Sequence, residues 1–263
     1  MKVEQNLSKA GVSDVQRPVA LPSSPRSFID LKAFASQASQ GIAPPPSASQ
    51  GHDRFEVSRR CLDLPLGAVS AGVITLAQDR GAVSFQPADD FLIVSEGAIT
   101  FTQGERALTL NAGSSAVIPQ GATFSWSTQA PVSVIFMRYQ SGGGTDGAIV
   151  PIDGAPTLAP SGAPLAELLL TPTPQCRNQT DYLSPDGTFT CGTWDSTPYH
   201  RAPMLYHHYE LMHLLDGSVT FVDETGRDAT FSRGDIFLVE QGARCSWESR
   251  EHVAKVYAIY RPA

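Results

Sequence analysis

Gly97-Ala-Ile-Thr-Phe101 and Gly217-Ser-Val-Thr-Phe221 are the same five-residue phrase written twice, 120 residues apart. A second pair accompanies the first: Gly121-Ala-Thr-Phe-Ser-Trp126 returns as Gly242-Ala-Arg-Cys-Ser-Trp247, now 121 residues apart. One residue inserted in the intervening hairpin accounts for the change. On the same alignment Asp90 pairs with Glu210, and Gly113 with Gly234. Solenoid units repeat every ~20–50 residues, so a period this long is a whole domain copied. Around each phrase, short runs of Val, Ile, Thr and Phe are punctuated by Gly, Pro and Asp. Such runs are strands joined by tight turns, because glycine accepts positive φ and branched or aromatic side chains suit a pleated surface.

Working outward from the repeat divides the chain. Residues 1–54 are rich in Ser, Ala, Gln and Pro and read as a largely irregular N-terminal arm. Within it, Phe28, Leu31 and Phe34 recur at helical spacing, which predicts a helix over Ser27–Ser36. Residues 55–140 form the first β-barrel, and the Gly- and Pro-rich residues 141–174 form a linker. Residues 175–263 form the second barrel. The expected fold class is therefore all-β, two tandem barrels behind an irregular arm. Two closed barrels would bury their own cores and manage their own sheet edges. Pairing of the two barrels within one chain is expected, with a homodimer as a further step.

Composition narrows function. The net charge is −7, and nucleic acid calls for a basic stripe, so no nucleic-acid partner is expected. No apolar run approaches the ~20 residues of a membrane span, and residues 1–16 lack the apolar centre of a signal peptide. A cytoplasmic, membrane-free protein is the expectation. The four cysteines form no CxxC pair and read as free thiols, although Cys176 and Cys191 are open to being neighbours.

Glu210-Leu-Met-His-Leu-Leu-Asp-Gly217 resembles the end of the first cupin motif. Gly234-Asp-Ile-Phe-Leu-Val-Glu-Gln-Gly242 resembles the second. From Trp194 through Val253-Ala-Lys255-Val-Tyr257 the second block is similar to the ethanolamine-utilisation and DUF861-type branch of the cupin superfamily, RmlC-like jelly rolls. The resemblance implies a cupin fold but no one activity, since cupins include enzymes, storage proteins and binding modules. It also implies a metal site, normally an H-x-H ahead of the first-motif Glu and a His in the second motif. Here those slots fall on Met204 and Tyr206, or on Pro203 and Leu205, and the second-motif slot is Cys245. In the first block the corresponding positions are Phe124 and Asp90. Ureidoglycine aminohydrolase, a two-barrel chain of similar length, is a family precedent for chemistry in one barrel, and its ligands are not matched.

The second block nevertheless gathers chemistry. Five of the six histidines lie between residues 200 and 252. Alternate strand residues share a face, so Tyr206, His208, Glu210 and Met212 point one way, and Cys245 and Trp247 share a face across the barrel. Glu210 and His208 are the candidate catalytic pair. Tyr206, Trp247 and Lys255 are the candidate ligand contacts. Glu210, His208 and Cys245 are the candidate ligands for a divalent transition metal. Without metal, Glu210 is expected to have a raised pKa in an apolar barrel and to act as acid or base. The bland readings stand beside these. His207-His208 reads equally as a turn, Cys245 as packing, and Trp126 and Trp247 as core. Lys255 reads as an edge-strand gatekeeper, and Asp89, Asp90 and Arg138 as solvated or paired. Two functions follow: a small-molecule cupin enzyme acting on a polar metabolite, or a non-catalytic ligand-binding or structural bicupin.

Overall fold

The strands among the described residues fall into four sheets, two from each copy of the repeat. A computed structural model describes residues 25–44, 53–140 and 147–262. The core of the first copy's large sheet runs Ser115–Ile118, Asp89–Glu96, Val132–Tyr139, Val69–Leu76. Its small sheet runs Asp79–Val83, Phe124–Thr128, Ala98–Gln103, Arg106–Asn111. The second copy repeats both orders. Its large sheet has Ile236–Val239, Tyr209–Asp216, Val253–Tyr260, Phe189–Ser196, and its small sheet Tyr199–Leu205, Arg244–Ser249, Ser218–Val222, Asp228–Ser232. All the pairings are antiparallel.

Each copy is an open pair of sheets in the jelly-roll manner rather than the closed barrel expected. Among the described residues the large and small sheets of a copy share no ladder. They are joined by side chains filling the space between them, and by turns that carry the chain across. Gly97 and Gly217 occupy equivalent turns with φ of 76° and 71°. A Cβ there would also strike a carbonyl oxygen, of Pro131 or of His252. That double demand explains why this glycine survives in both copies.

Three cores result. Ile74, Leu92, Phe101, Phe124, Trp126 and Phe136 fill the first copy. Met212, Leu214, Phe221, Phe237, Cys245 and Trp247 fill the second. The third lies between the copies, where the large sheets stack back to back through Phe91, Ile93, Ile135 and Met137 on one side and Leu211, Leu238, Val256 and Ala258 on the other. Their central strands are thus buried on both faces, which is why Phe91–Val94 and Val134–Met137 are unbroken apolar runs without strand alternation.

The arm departs from expectation over its described part. Helix spans only Leu31–Ser36, capped by Asp30, whose carboxylate accepts from Lys32 N and Ala33 N at 2.9 Å each. Phe28–Asp30 is instead a strand, paired with Ile236–Val239 at the edge of the second copy's large sheet. Phe28 leaves the helical pattern because it has a better place, against Phe221 and Phe231. The expected linker contributes likewise: Val150–Pro151 pairs with Ser115–Ile118, and Ala159–Ser161 with Cys176–Leu183. Among the described residues no helix is long and apolar enough to cross a membrane. All four cysteines are buried free thiols.

Candidate functional site

Inside the second copy, Glu210 is the first inward-facing residue of the strand Tyr209–Asp216. Its neighbour strand Val253–Tyr260 brings Lys255 alongside, with Trp194 and Leu214 as its two cross-strand partners. Lys255 donates from Nζ to Glu210 Oε1 at 2.7 Å. Its ammonium also lies 4.8 Å from the ring centre of Trp194 and 5.1 Å from that of Trp247. Lys255 is not on an edge strand, since Val253–Tyr260 is paired on both sides, so the gatekeeper reading fails. It is a buried cation held over aromatic faces.

The other Glu210 oxygen faces His208, whose Nε2 lies 3.3 Å from Oε2. The chain leaves Leu205 and bends at His208 before entering the strand, and the alternation of faces survives the bend. Tyr206 and His208 are both buried beside Glu210, with their rings 5.2 Å apart, while His207 is exposed. Burial alone would raise the pKa of Glu210. The Lys255 charge and the His208 hydrogen bond outweigh it and hold this carboxyl well below the usual range. The expected raised pKa is therefore corrected: the lysine keeps Glu210 ionised.

These groups line one side of a cavity of about 350 Å³. Tyr199 and Arg201, inward on the strand Tyr199–Leu205, line another. Tyr199 stacks on Trp247 at 5.7 Å and 11°. The mouth is framed by Gly162, Pro164, Leu165 and Leu168 from the segment between the copies. Tyr199, Arg201 and Trp194 line the cavity without being among the residues expected there. The i, i+2 spacing of Tyr199 and Arg201 was the available signal, obscured by the poorly matched motif around them.

Cys245 does not join the site. It is fully buried in the core and is not a wall of the cavity, and burial pushes its thiol up to about 12. Among the described residues, no three His, Cys, Asp or Glu side chains are grouped so as to hold a metal ion. The donor set of Glu210, His208 and Cys245 thus does not fit a metal of the kind the fold family implies. An ammonium already stands against the carboxylate that such an ion would need.

The equivalent region of the first copy is filled by its own charges. Asp90, in the Glu210 slot, accepts from Arg59 at 2.6 Å, from Arg138 at 2.7 Å through both Nε and Nη2, and from Gln86 at 2.5 Å. Glu56 accepts from Arg138 at 3.0 Å twice and from Arg59 at 3.1 Å. Asp90 and Arg138 are thus paired and buried, not solvated.

Comparison with known proteins agrees with this architecture. Residues 183–257 match the family model of the EutQ-like cupin domain. A protein of unknown function of the DUF861 family from Pseudomonas syringae pv. tomato is 31% identical, with a TM-score of 0.80 over 89% of this chain and 99% of its own. A cupin 2 conserved barrel domain protein from Leptotrichia buccalis has a TM-score of 0.56 at 10% identity, over 90% of this chain and 97% of its own. The salicylate 1,2-dioxygenase of Pseudoaminobacter salicylatoxidans has a TM-score of 0.51 at 13% identity, over 93% of this chain and 86% of its own. The last two likenesses are of fold alone. No curated protein matches the chain.

Proposed function

Because the chain belongs to the DUF861 family of cupins, we propose that it is a small-molecule cupin whose working pocket is the cavity of the second copy, taking a small polar metabolite. The observation that carries this reading is Glu210, buried, ionised, held by Lys255 on one oxygen and facing His208 with the other, on the wall of a cavity of small-molecule size. Each residue has a task in it. Lys255 fixes the charge state of Glu210. Glu210 orients the His208 ring. His208 is the group that can take a proton from a bound ligand or return it. Tyr206 and Trp247 shape the walls. The first copy, whose equivalent carboxylate Asp90 is saturated by Arg59, Arg138 and Gln86, has a supporting role.

A second reading, binding without turnover, is favoured by the same Lys255 contact, which leaves Glu210 already satisfied. One experiment separates them. Wild-type protein is incubated with a pool of small polar metabolites, and each compound is followed by mass spectrometry. Turnover predicts loss of one compound beyond one equivalent of protein, abolished in His208→Gln. Binding alone predicts capture of no more than one equivalent, weakened in Lys255→Met. A pool left untouched by folded wild type would sink the cavity as a site.

A further inference from the structure

Arg201 is buried, yet its hydrogen bonds go to neutral groups: the Ala202 carbonyl at 3.0 Å, the Cys245 carbonyl at 3.2 Å and the Tyr206 hydroxyl at 3.1 Å. Its guanidinium also lies 5.6 Å from the Tyr206 ring centre. Among the described residues no carboxylate stands within ion-pair distance of it. The buried arginines of the first copy behave differently: Arg59 and Arg138 each meet both Glu56 and Asp90. Buried charges are ordinarily paired, because a lone one is costly to desolvate. In the cavity of the second copy, Lys255 and Glu210 cancel, and Arg201 is left as the excess charge. Burial pushes Tyr199 and Tyr206 up and the Arg201 charge pulls both down, so these two cavity-lining hydroxyls lie in its field.

We infer that the cavity takes an anionic ligand, a small carboxylate with a planar body, whose negative group is met by Arg201 while the body lies among Tyr199, Tyr206 and Trp247 and reaches His208. This rests on the cavity being the working pocket. The ligand supplies the counter-charge that the protein lacks there, and a guanidinium fork is the donor that best fits a carboxylate.

Three isosteric probes that differ in charge test it: benzoate, benzamide and benzamidine, titrated by calorimetry into the full-length protein at low salt. Benzoate is expected to bind at least tenfold more tightly than benzamide, and benzamidine more weakly than either. Arg201→Gln is expected to erase the preference for benzoate over benzamide, and Arg250→Gln, at an exposed arginine outside the cavity wall, to retain it. If Arg201→Gln, which gives up bonds to two carbonyls, does not fold, the order of the three probes in wild type decides alone. Benzamide or benzamidine binding as tightly as benzoate would overturn the anionic assignment and leave the pocket standing. A benzoate preference kept in folded Arg201→Gln would overturn the role of Arg201. No binding of any probe would overturn the pocket reading beneath it.

Discussion

Asp90 and Glu210 occupy the same position in two copies of one fold, and their surroundings give them different work. Asp90 meets two arginines and a glutamine inside a packed core, so it is saturated and structural. Burial would raise its pKa, and Arg138 with Arg59 lowers it instead. Replacing it strands two buried guanidinium groups. Asp90→Asn is therefore expected to cost about 3–5 kcal/mol, read as a fall in Tm of about 2–4 °C per kcal/mol, with probe binding in the other copy unchanged. Glu210 depends on one ammonium. In wild type its carboxyl lies below its unfolded value, so the stability it contributes is present above about pH 4.3 and is lost as pH falls toward the folded pKa. Lys255→Met removes the leading cause of that depression and leaves burial in charge, so the folded pKa should rise above the unfolded one. The sign then inverts, and the variant should lose stability as pH rises from about 4.3 toward the folded pKa. Urea unfolding of wild type and Lys255→Met across pH 4 to 8 checks it; parallel profiles would mean that Lys255 does not set the charge of Glu210.

At the scale of single elements, the two copies share a weakness and solve it alike. The outermost strands shared by both copies, Ser115–Ile118 and Ile236–Val239, are short, wholly buried and, Ser115 apart, apolar, and left bare they would offer open edges. Each is covered by a segment from outside its repeat, Val150–Pro151 for the first and Phe28–Asp30 for the second. The second cover is clamped. Arg26 pairs with Glu240 at 2.9 Å, and Arg227 lies 4.2 Å from the Phe28 ring centre. Phe28→Ala should cost about 3–5 kcal/mol and loosen the edge, seen as faster amide exchange in Ile236–Val239 and as light scattering on mild heating; unchanged exchange there would make the arm a tether. The repeat phrases placed the turns and the paired strands because positive φ and strand composition are local properties. The covers were not legible, since Phe28–Asp30 takes its conformation from a strand some 200 residues away in sequence. The site divides the same way. Tyr206, His208, Glu210 and Trp247 followed from strand parity. The identity of the cation beside Glu210, the absence of Cys245 from the wall and the entry of Arg201 depend on register across sheets, which composition does not encode.

For the molecule as a whole, the cost of two open jelly rolls is two apolar outer faces, and stacking them hides both. Leu211 and Ile93 illustrate it: each is fully buried, each points away from the interior of its own copy, and both belong to the core between the copies. Neither copy could keep that face in water, because a patch so large and apolar on a free domain drives association. The cavity gains from the arrangement, since the strands carrying Glu210 and Lys255 have their outer faces packed against the other copy and are held rigid from behind. Unfolding should accordingly be one event. Ile93→Ala and Leu211→Ala, made separately, should each cost about 2–5 kcal/mol and each shift one common calorimetric transition, although the residues sit in different repeats. A pair of control substitutions inside the separate cores, Val94→Ala in the first and Leu214→Ala in the second, should shift that same transition and create no new one. Two resolved transitions, with each substitution moving only its own, would show that the copies fold independently and that the shared core does not bind them into a single cooperative unit.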